Sequence, residues 1–166
     1  VKQAAREIGA GLKDSERYQV VVVKSTVLPG TTEDIVKPIV LAAAGKTEEQ
    51  VGFCMNPEFL REGCAVEDFT QPDRIVLGVS SPQVEEIMRA VYAGYSQTEL
   101  VVTNPTTAEM IKYTANAFLA LTISYANEIA RICETLDGVD SETVFNGVAL
   151  DKRISPVLDG ARITPQ

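Results

Sequence analysis

Val51-Gly52-Phe53-Cys54-Met55 runs without a break into Asn56-Pro57-Glu58-Phe59-Leu60-Arg61-Glu62-Gly63. The first five residues have the length and apolar character of a short buried strand. The next eight put two carboxylates and an arginine into a turn-forming segment directly behind it. A strand that ends in a charged turn suits an open α/β sheet, where ligands gather outside the carboxyl ends of the strands.

The flanking sequence extends this pattern. Upstream, Val20-Val21-Val22-Val23 is a β-branched run of the kind buried on both faces of a parallel sheet, and it delivers Lys24-Ser25-Thr26 to the strand's carboxyl end. Leu28-Pro29-Gly30 then turns the chain. Thr31 or Thr32 stands where a helix cap is expected, and the apolar spacing Ile35, Ile39, Val40 carries a helix to Gly45. Pro38 inside that spacing predicts a kink or a late start. Downstream, Arg74 to Val79 reads as a third strand, Ser81 and Pro82 open a helix running to Tyr92, and Leu100-Val101-Val102 is a fourth strand. Alternating strands and helices predict parallel βαβ units, so the first hundred residues read as part of a doubly wound sheet.

Pro105 and Thr106 open the longest helical stretch. Thr106 and Glu109 have capping-box spacing, and no proline or glycine intervenes before Gly138. About thirty residues predict a rod on the order of 45 Å long. Met110, Ile111, Ala117, Phe118, Leu119, Leu121, Ile129 and Ile132 give it a broad apolar surface, which needs more than one neighbour and points to an interdomain spine or a subunit interface. A shorter helix is expected around Ser141 to Val148, and irregular chain after Ile154. The candidate domain boundary is Asn104-Pro105.

Composition bounds the reading. A chain of 166 residues, 45% hydrophobic and 23% charged, is that of a globular domain with a sizeable core. With no apolar run of membrane-spanning length and no signal-peptide pattern, a cytoplasmic location is expected. A net charge of −8 gives no general attraction to nucleic acid or anionic lipid. Cys54, Cys64 and Cys133 lack metal-ligand spacing, and the absence of histidine removes Cys/His zinc sites and His-based triads from this chain. No metal is expected. Cys64 lies near the acidic turn, but without a basic partner it reads as a small, partly buried hydrophobe.

Three motifs stand in a recognisable order: Lys24-Ser25-Thr26, then Asn56 to Gly63, then Lys112-x-x-x-Asn116. In this the chain resembles the UDP-glucose/GDP-mannose dehydrogenase family over essentially its whole length. The resemblance implies NAD-dependent, four-electron oxidation of UDP-glucose to UDP-glucuronate through a cysteine thioester. It implies that residues 1–104 are the C-terminal part of a Rossmann-like NAD-binding domain. Residues 105–166 would then begin a helical central domain that forms a homodimer through Thr106 to Leu136. Two family features are missing: the G-x-G-x-x-G turn, which belongs before Val1, and the Gly-Phe-Gly-Gly-Ser-Cys-type segment bearing the catalytic cysteine. Asp151-x-Arg153-Ile154 looks like the lead-in to the latter, and none of the three cysteines matches it. Together with the uncapped helical pattern at Val1 to Lys13, this leads us to expect an internal portion of the enzyme, inactive alone.

The resemblance also implies roles. Glu58 matches the carboxylate that activates water, and Phe59, Leu60 and Arg61 the segment that contacts the sugar. Thr26 matches a catalytic hydroxyl beside the nicotinamide and the catalytic water, and Glu62 a position toward the nicotinamide. Lys112 and Asn116 match the pair that holds a developing oxyanion and binds substrate. Each also has an ordinary reading. Glu58 suits a capping carboxylate, Glu62 a surface partner of Arg61, Phe59 and Leu60 plain core, Thr26 a turn hydroxyl, and Lys112 a solvated partner of Glu109. If Phe59 to Gly63 were helical, Glu58 and Glu62 would share a face. The same motifs serve GDP-mannose and UDP-N-acetyl-mannosamine enzymes. A 6-phosphogluconate-type β-hydroxyacid dehydrogenase shares Lys-x-x-x-Asn but lacks the Asn56–Gly63 octapeptide. A non-catalytic dimerisation module is the reading from another class.

Overall fold

The computed structural model describes residues 1–151 and 154. Helix α1 (Lys2–Leu12) leads to strand β1 (Gln19–Val23), a π-helical turn at Thr31–Val36 and helix α2 (Lys37–Ala44). Strand β2 (Val51–Met55), short helix α3 (Ala65–Thr70), strand β3 (Arg74–Val79), helix α4 (Pro82–Val91) and strand β4 (Glu99–Thr103) follow. The chain ends its described part with the 30-residue helix α5 (Pro105–Glu134) and helix α6 (Ser141–Ala149). Contacts group the residues into two compact units, Val1–Tyr113 and Thr114–Gln166.

In the first unit the four strands lie in the order β1-β2-β3-β4. The α/β architecture with a Rossmann-like sheet is as expected, but the sheet is mixed rather than wholly parallel. β1 pairs with β2 and β3 with β4 in parallel, whereas β2 meets β3 antiparallel through Cys54↔Val79 and Met55↔Gly78. The reason lies in the connection. A parallel crossover needs a helix whose apolar side covers the sheet, and α3 has six residues, none of them buried.

Strand alternation sorts the core onto the two faces. Val21, Val51 and Phe53 pack with Ala5, Val36 and Val40 beneath α1 and α2. Met55 and Val76 pack with Val27 and Ala108 beneath the start of α5. On the opposite face Cys54, Ile75 and Leu77 meet Val84 and Met88 of α4. β2 is buried along its whole length, but β1 is an edge strand whose Val22 is 37% exposed, so the expectation of burial on both faces fails there.

The helix starts follow local chemistry in part. Ser81 caps α4 as expected, accepting from the Val84 amide at 3.3 Å. Pro38 does not delay the helix: the π-helical turn Thr31–Val36 passes without a break into α2, so the chain changes helix type just before the proline rather than starting late. Neither Thr31 nor Thr32 caps this segment. The residue before the π-helical turn is Gly30, at φ 91°, a conformation that glycine takes without a Cβ penalty. The Thr106–Glu109 capping box does not form either, because Glu109 is directed elsewhere. Asn104 does the capping, its Oδ1 accepting from the Thr107 amide at 2.8 Å.

Gly78 fixes where α5 begins. A Cβ there would lie 2.6 Å from Ala108 Cβ, 2.7 Å from Pro105 Cα and 2.9 Å from Asn104 O. The helix start therefore rests directly on the β3 backbone.

In the second unit, Ala126 and Cys133 of α5 are buried, and Asp140 caps α6 by accepting from the Thr143 amide at 2.7 Å and the Thr143 hydroxyl at 2.6 Å. Phe118, Leu119, Leu121 and Tyr125 are exposed. The lead-in residues Lys152 and Arg153, and the irregular tail expected beyond Ile154, lie outside the described residues.

Replacing Gly78 by alanine is expected to destabilise the protein by about 1–3 kcal/mol through overpacking at backbone atoms. The shift of the urea midpoint measures it; a midpoint within error of the parent would show that α5 does not press on β3.

Candidate active site

The carboxyl end of β2 is built around Asn56. Its amide donates to Val23 O at 2.9 Å, carrying the β1–β2 ladder one step past the strands. The residue is 2% exposed and its side chain makes three hydrogen bonds: Nδ2 donates to Val76 O at 2.9 Å, and Oδ1 accepts from Lys24 Nζ at 2.7 Å and from the Tyr92 hydroxyl. One amide thus ties the ends of β1 and α4 to β3. Asn56 and Tyr92 were not among the expected site residues. The available signal was a polar residue directly after a buried strand, which burial obliges to find partners.

Beyond Asn56 the chain runs alongside β3. Glu58 Oε2 accepts from the Leu60 amide at 2.7 Å, and Glu58 Oε1 lies 3.5 Å from Lys112 Nζ. Glu58 is therefore not a helix cap, since the next helix begins only at Ala65; its carboxylate bonds the nearby Leu60 amide and faces Lys112. Lys112 is not the solvated partner of Glu109 but a side chain only 7% exposed, whose ammonium faces Glu58. Two cations approach the Phe59 ring, the Arg74 guanidinium 3.9 Å and Lys112 Nζ 5.1 Å from its centroid. A buried ammonium needs such compensation, since leaving it unpaired costs about 3–5 kcal/mol.

Arg61 pairs with Asp68, not with Glu62. Nε reaches both Asp68 oxygens at 3.1 Å, Nη2 reaches Oδ1 at 2.6 Å, and the Arg61 amide donates to Oδ2 at 2.7 Å. The pairing raises the guanidinium pKa and holds the Asp68 carboxyl below the usual carboxylate range. A depressed carboxyl pKa stabilises the turn above the ordinary carboxylate value, and the effect is lost as pH falls through the lowered one. Phe59 to Gly63 is not helical, so Glu58 and Glu62 share no helix face. Leu60, Glu62 and Thr26 are exposed, Thr26 just past the end of β1. Asn116 is exposed on α5 in the second unit.

Cys54 is fully buried, and burial pushes its thiol up to about 12 against a smaller opposing pull from Lys24. Cys64 is exposed, not partly buried as expected, because it stands at the start of α3, none of whose residues is buried. Among the described residues, no group of three or more Cys, Asp and Glu side chains is placed to hold a metal ion.

Residues 1–96 match the UDP-glucose/GDP-mannose dehydrogenase family, NAD binding domain, and residues 106–162 match its central domain. The chain belongs to the UDP-glucose/GDP-mannose dehydrogenase family. It is 43% identical to the UDP-glucose 6-dehydrogenase AglM of Haloferax volcanii over 166 residues, 97% of this chain and 38% of that protein. Among solved structures, a UDP-glucose dehydrogenase from the hyperthermophilic archaeon Pyrobaculum islandicum aligns with TM-score 0.85 at 45% identity, over 92% of this chain and 34% of the other. A GDP-mannose dehydrogenase from Pseudomonas aeruginosa, solved as a ternary complex, aligns with TM-score 0.84 at 34% identity, over 90% and 34%. The chain thus spans little more than a third of the length of these family members.

Thiol labelling of the folded protein at pH 8 is expected to modify Cys64 and leave Cys54 and Cys133 unreacted, as read by peptide mass mapping. Labelling of Cys54 at the rate of Cys64 would contradict the burial described for β2.

Proposed function

We propose that this chain is part of an NAD-dependent nucleotide-sugar 6-dehydrogenase that oxidises UDP-glucose to UDP-glucuronate. The observation that carries the reading is the 3.5 Å pairing of Glu58 with Lys112 beside the Phe59 ring, within a chain that belongs to this family. Residues 1–104 would contribute to the cofactor domain and residues 105–166 to the central domain. A cytoplasmic location goes with this reading, because both NAD and a nucleotide sugar are charged phosphate compounds that do not cross a bilayer unaided.

The residues present suit the nicotinamide end of the cofactor. Thr26 offers an exposed hydroxyl just past the carboxyl end of β1, where an open α/β sheet takes its ligand, and Glu62 is exposed in the turn after β2. These two would hold NAD, which accepts the hydride when bound. Four-electron oxidation of an alcohol proceeds through aldehyde, thiohemiacetal and thioester to the acid, the thiol coming from a cysteine that this chain does not supply. Lys112 donates to the substrate oxygen as negative charge gathers on it, and Asn116 adds an amide donor on the same helix. Glu58 takes a proton from the water that hydrolyses the thioester. Phe59 and Leu60 give the sugar an apolar wall, and Arg61, held by Asp68, keeps their turn in place.

The exposed apolar residues of α5, among them Met110 at 54% and Leu121 at 64%, fit a homodimer formed through this helix. Met110→Asp or Leu121→Asp is then expected to yield monomers by light scattering, while Lys112→Ala leaves the dimer intact. Monomers in all three would remove the interface assignment.

In the whole enzyme Glu58→Gln is expected to slow hydrolysis about a hundredfold or more and to accumulate a covalent sugar adduct on the catalytic cysteine, visible by intact mass. Lost turnover with no adduct would rule out the water-activating role. Lys112→Ala is expected to lower kcat by about two orders of magnitude with little change in KM. A rise in KM alone would make Lys112 a binding residue only.

A further inference from the structure

Glu109 is 0% exposed, yet its carboxylate is fully engaged by a segment far away in sequence. Oε2 accepts from the Gly30 amide at 2.6 Å, and Oε1 accepts from the Thr32 amide at 2.7 Å and the Thr32 hydroxyl at 2.6 Å. The two amides belong to the start of the π-helical turn Thr31–Val36, where backbone donors have no partner within the turn itself and the helix end favours negative charge. A side chain on α5 therefore caps this turn, and the local threonines do not.

The neighbouring residue acts on the same segment. Ala108 packs with Val27, which is 7% exposed. Two adjacent positions on α5 thus hold the segment that follows β1, one by apolar contact beside Thr26 and one by hydrogen bonds at Gly30 and Thr32. Lys112 is three residues beyond Glu109, on the neighbouring turn of the helix and on a similar side. We propose that Glu109 is a positioning residue that sets the Thr26 segment, on the cofactor side, in register with the turn of α5 that presents Lys112 to the sugar. The role rests on the function proposed above.

The chemistry is specific to a carboxylate. Glutamine offers one acceptor and one donor, so in either orientation of its amide the Gly30 or the Thr32 N–H meets another donor. A buried donor without an acceptor is costly, and the segment is expected to open to recover water.

The test uses the whole protein carrying Glu109→Gln. Hydrogen exchange at residues 28–33 is expected to accelerate about tenfold or more, with β2 unchanged. NAD titrated alone is expected to bind about tenfold more weakly, and UDP-glucose titrated alone to change less than about twofold. Thr32→Val, which removes the hydroxyl bond and leaves both amides in place, is expected to weaken NAD binding about two- to fivefold, and carries the test should Glu109→Gln not fold. Unchanged exchange at 28–33 would overturn the tie. Faster exchange with unaltered NAD affinity, or an unaltered Thr32→Val, would make Glu109 merely structural. A parent protein that binds neither NAD nor UDP-glucose would overturn the proposed function and the positioning role with it, even if the exchange difference persisted.

Discussion

The contact of α5 with Gly78 is the constraint from which the rest of the first unit follows. Because β3 has no side chain at that point, Pro105 and Ala108 come down onto the strand backbone, with the Asn104 carbonyl beside them. Once the helix starts there, its next residues have little choice. Ala108 meets Val27, Met55 and Val76; Glu109 meets the amides after the β1 loop; Lys112 meets Glu58. Apolar packing sets the height of the helix over the sheet, and hydrogen bonds and charge pairing then fix its rotation.

The polar groups in this region illustrate how burial turns into positioning. Asn56, Glu109, Lys112 and Thr32 are all buried, and among the described residues no buried side-chain polar atom lacks a partner. A core that includes such groups gains specificity from them, because any other register leaves a donor or a charge unpaired at a cost of about 1–3 kcal/mol or more. Each of these groups joins elements distant in sequence. Asn56 gathers β1, β3 and α4, Glu109 joins α5 to the β1 loop, and Lys112 joins α5 to the turn after β2. Thr26, Leu60 and Glu62 are exposed on the loops that follow β1 and β2, next to this network.

Much of this was legible in the sequence, for identifiable reasons. Short β-branched and apolar runs bounded by Gly, Pro and Asn located the four strands, and the absence of proline and glycine located α5. The octapeptide from Asn56 marked the turn that brings Glu58 to Lys112, because polar and charged residues directly behind a buried strand must find partners. What the sequence hid was everything decided by a partner far along the chain. The antiparallel β2–β3 pairing depends on α3 failing to cover the sheet, which its short pattern does not reveal. Thr31 and Thr32 looked like caps because local spacing was the available guide, and Thr106 with Glu109 looked like a capping box for the same reason; the Glu109 carboxylate instead serves the turn at Gly30 and Thr32, and Asn104 caps α5. Arg61 looked like the partner of its neighbour Glu62, yet a turn lets it reach Asp68 instead.

The central claim is that the Glu58–Lys112 pairing serves the oxidation of a nucleotide sugar by NAD. The most direct measurement is NADH formation by the whole protein with UDP-glucose and with GDP-mannose, each at saturating NAD, followed to completion at limiting sugar. The account predicts two NADH per UDP-glucose consumed, since removing four electrons delivers two hydrides, and little with GDP-mannose. No NADH with either sugar from a folded protein would contradict it.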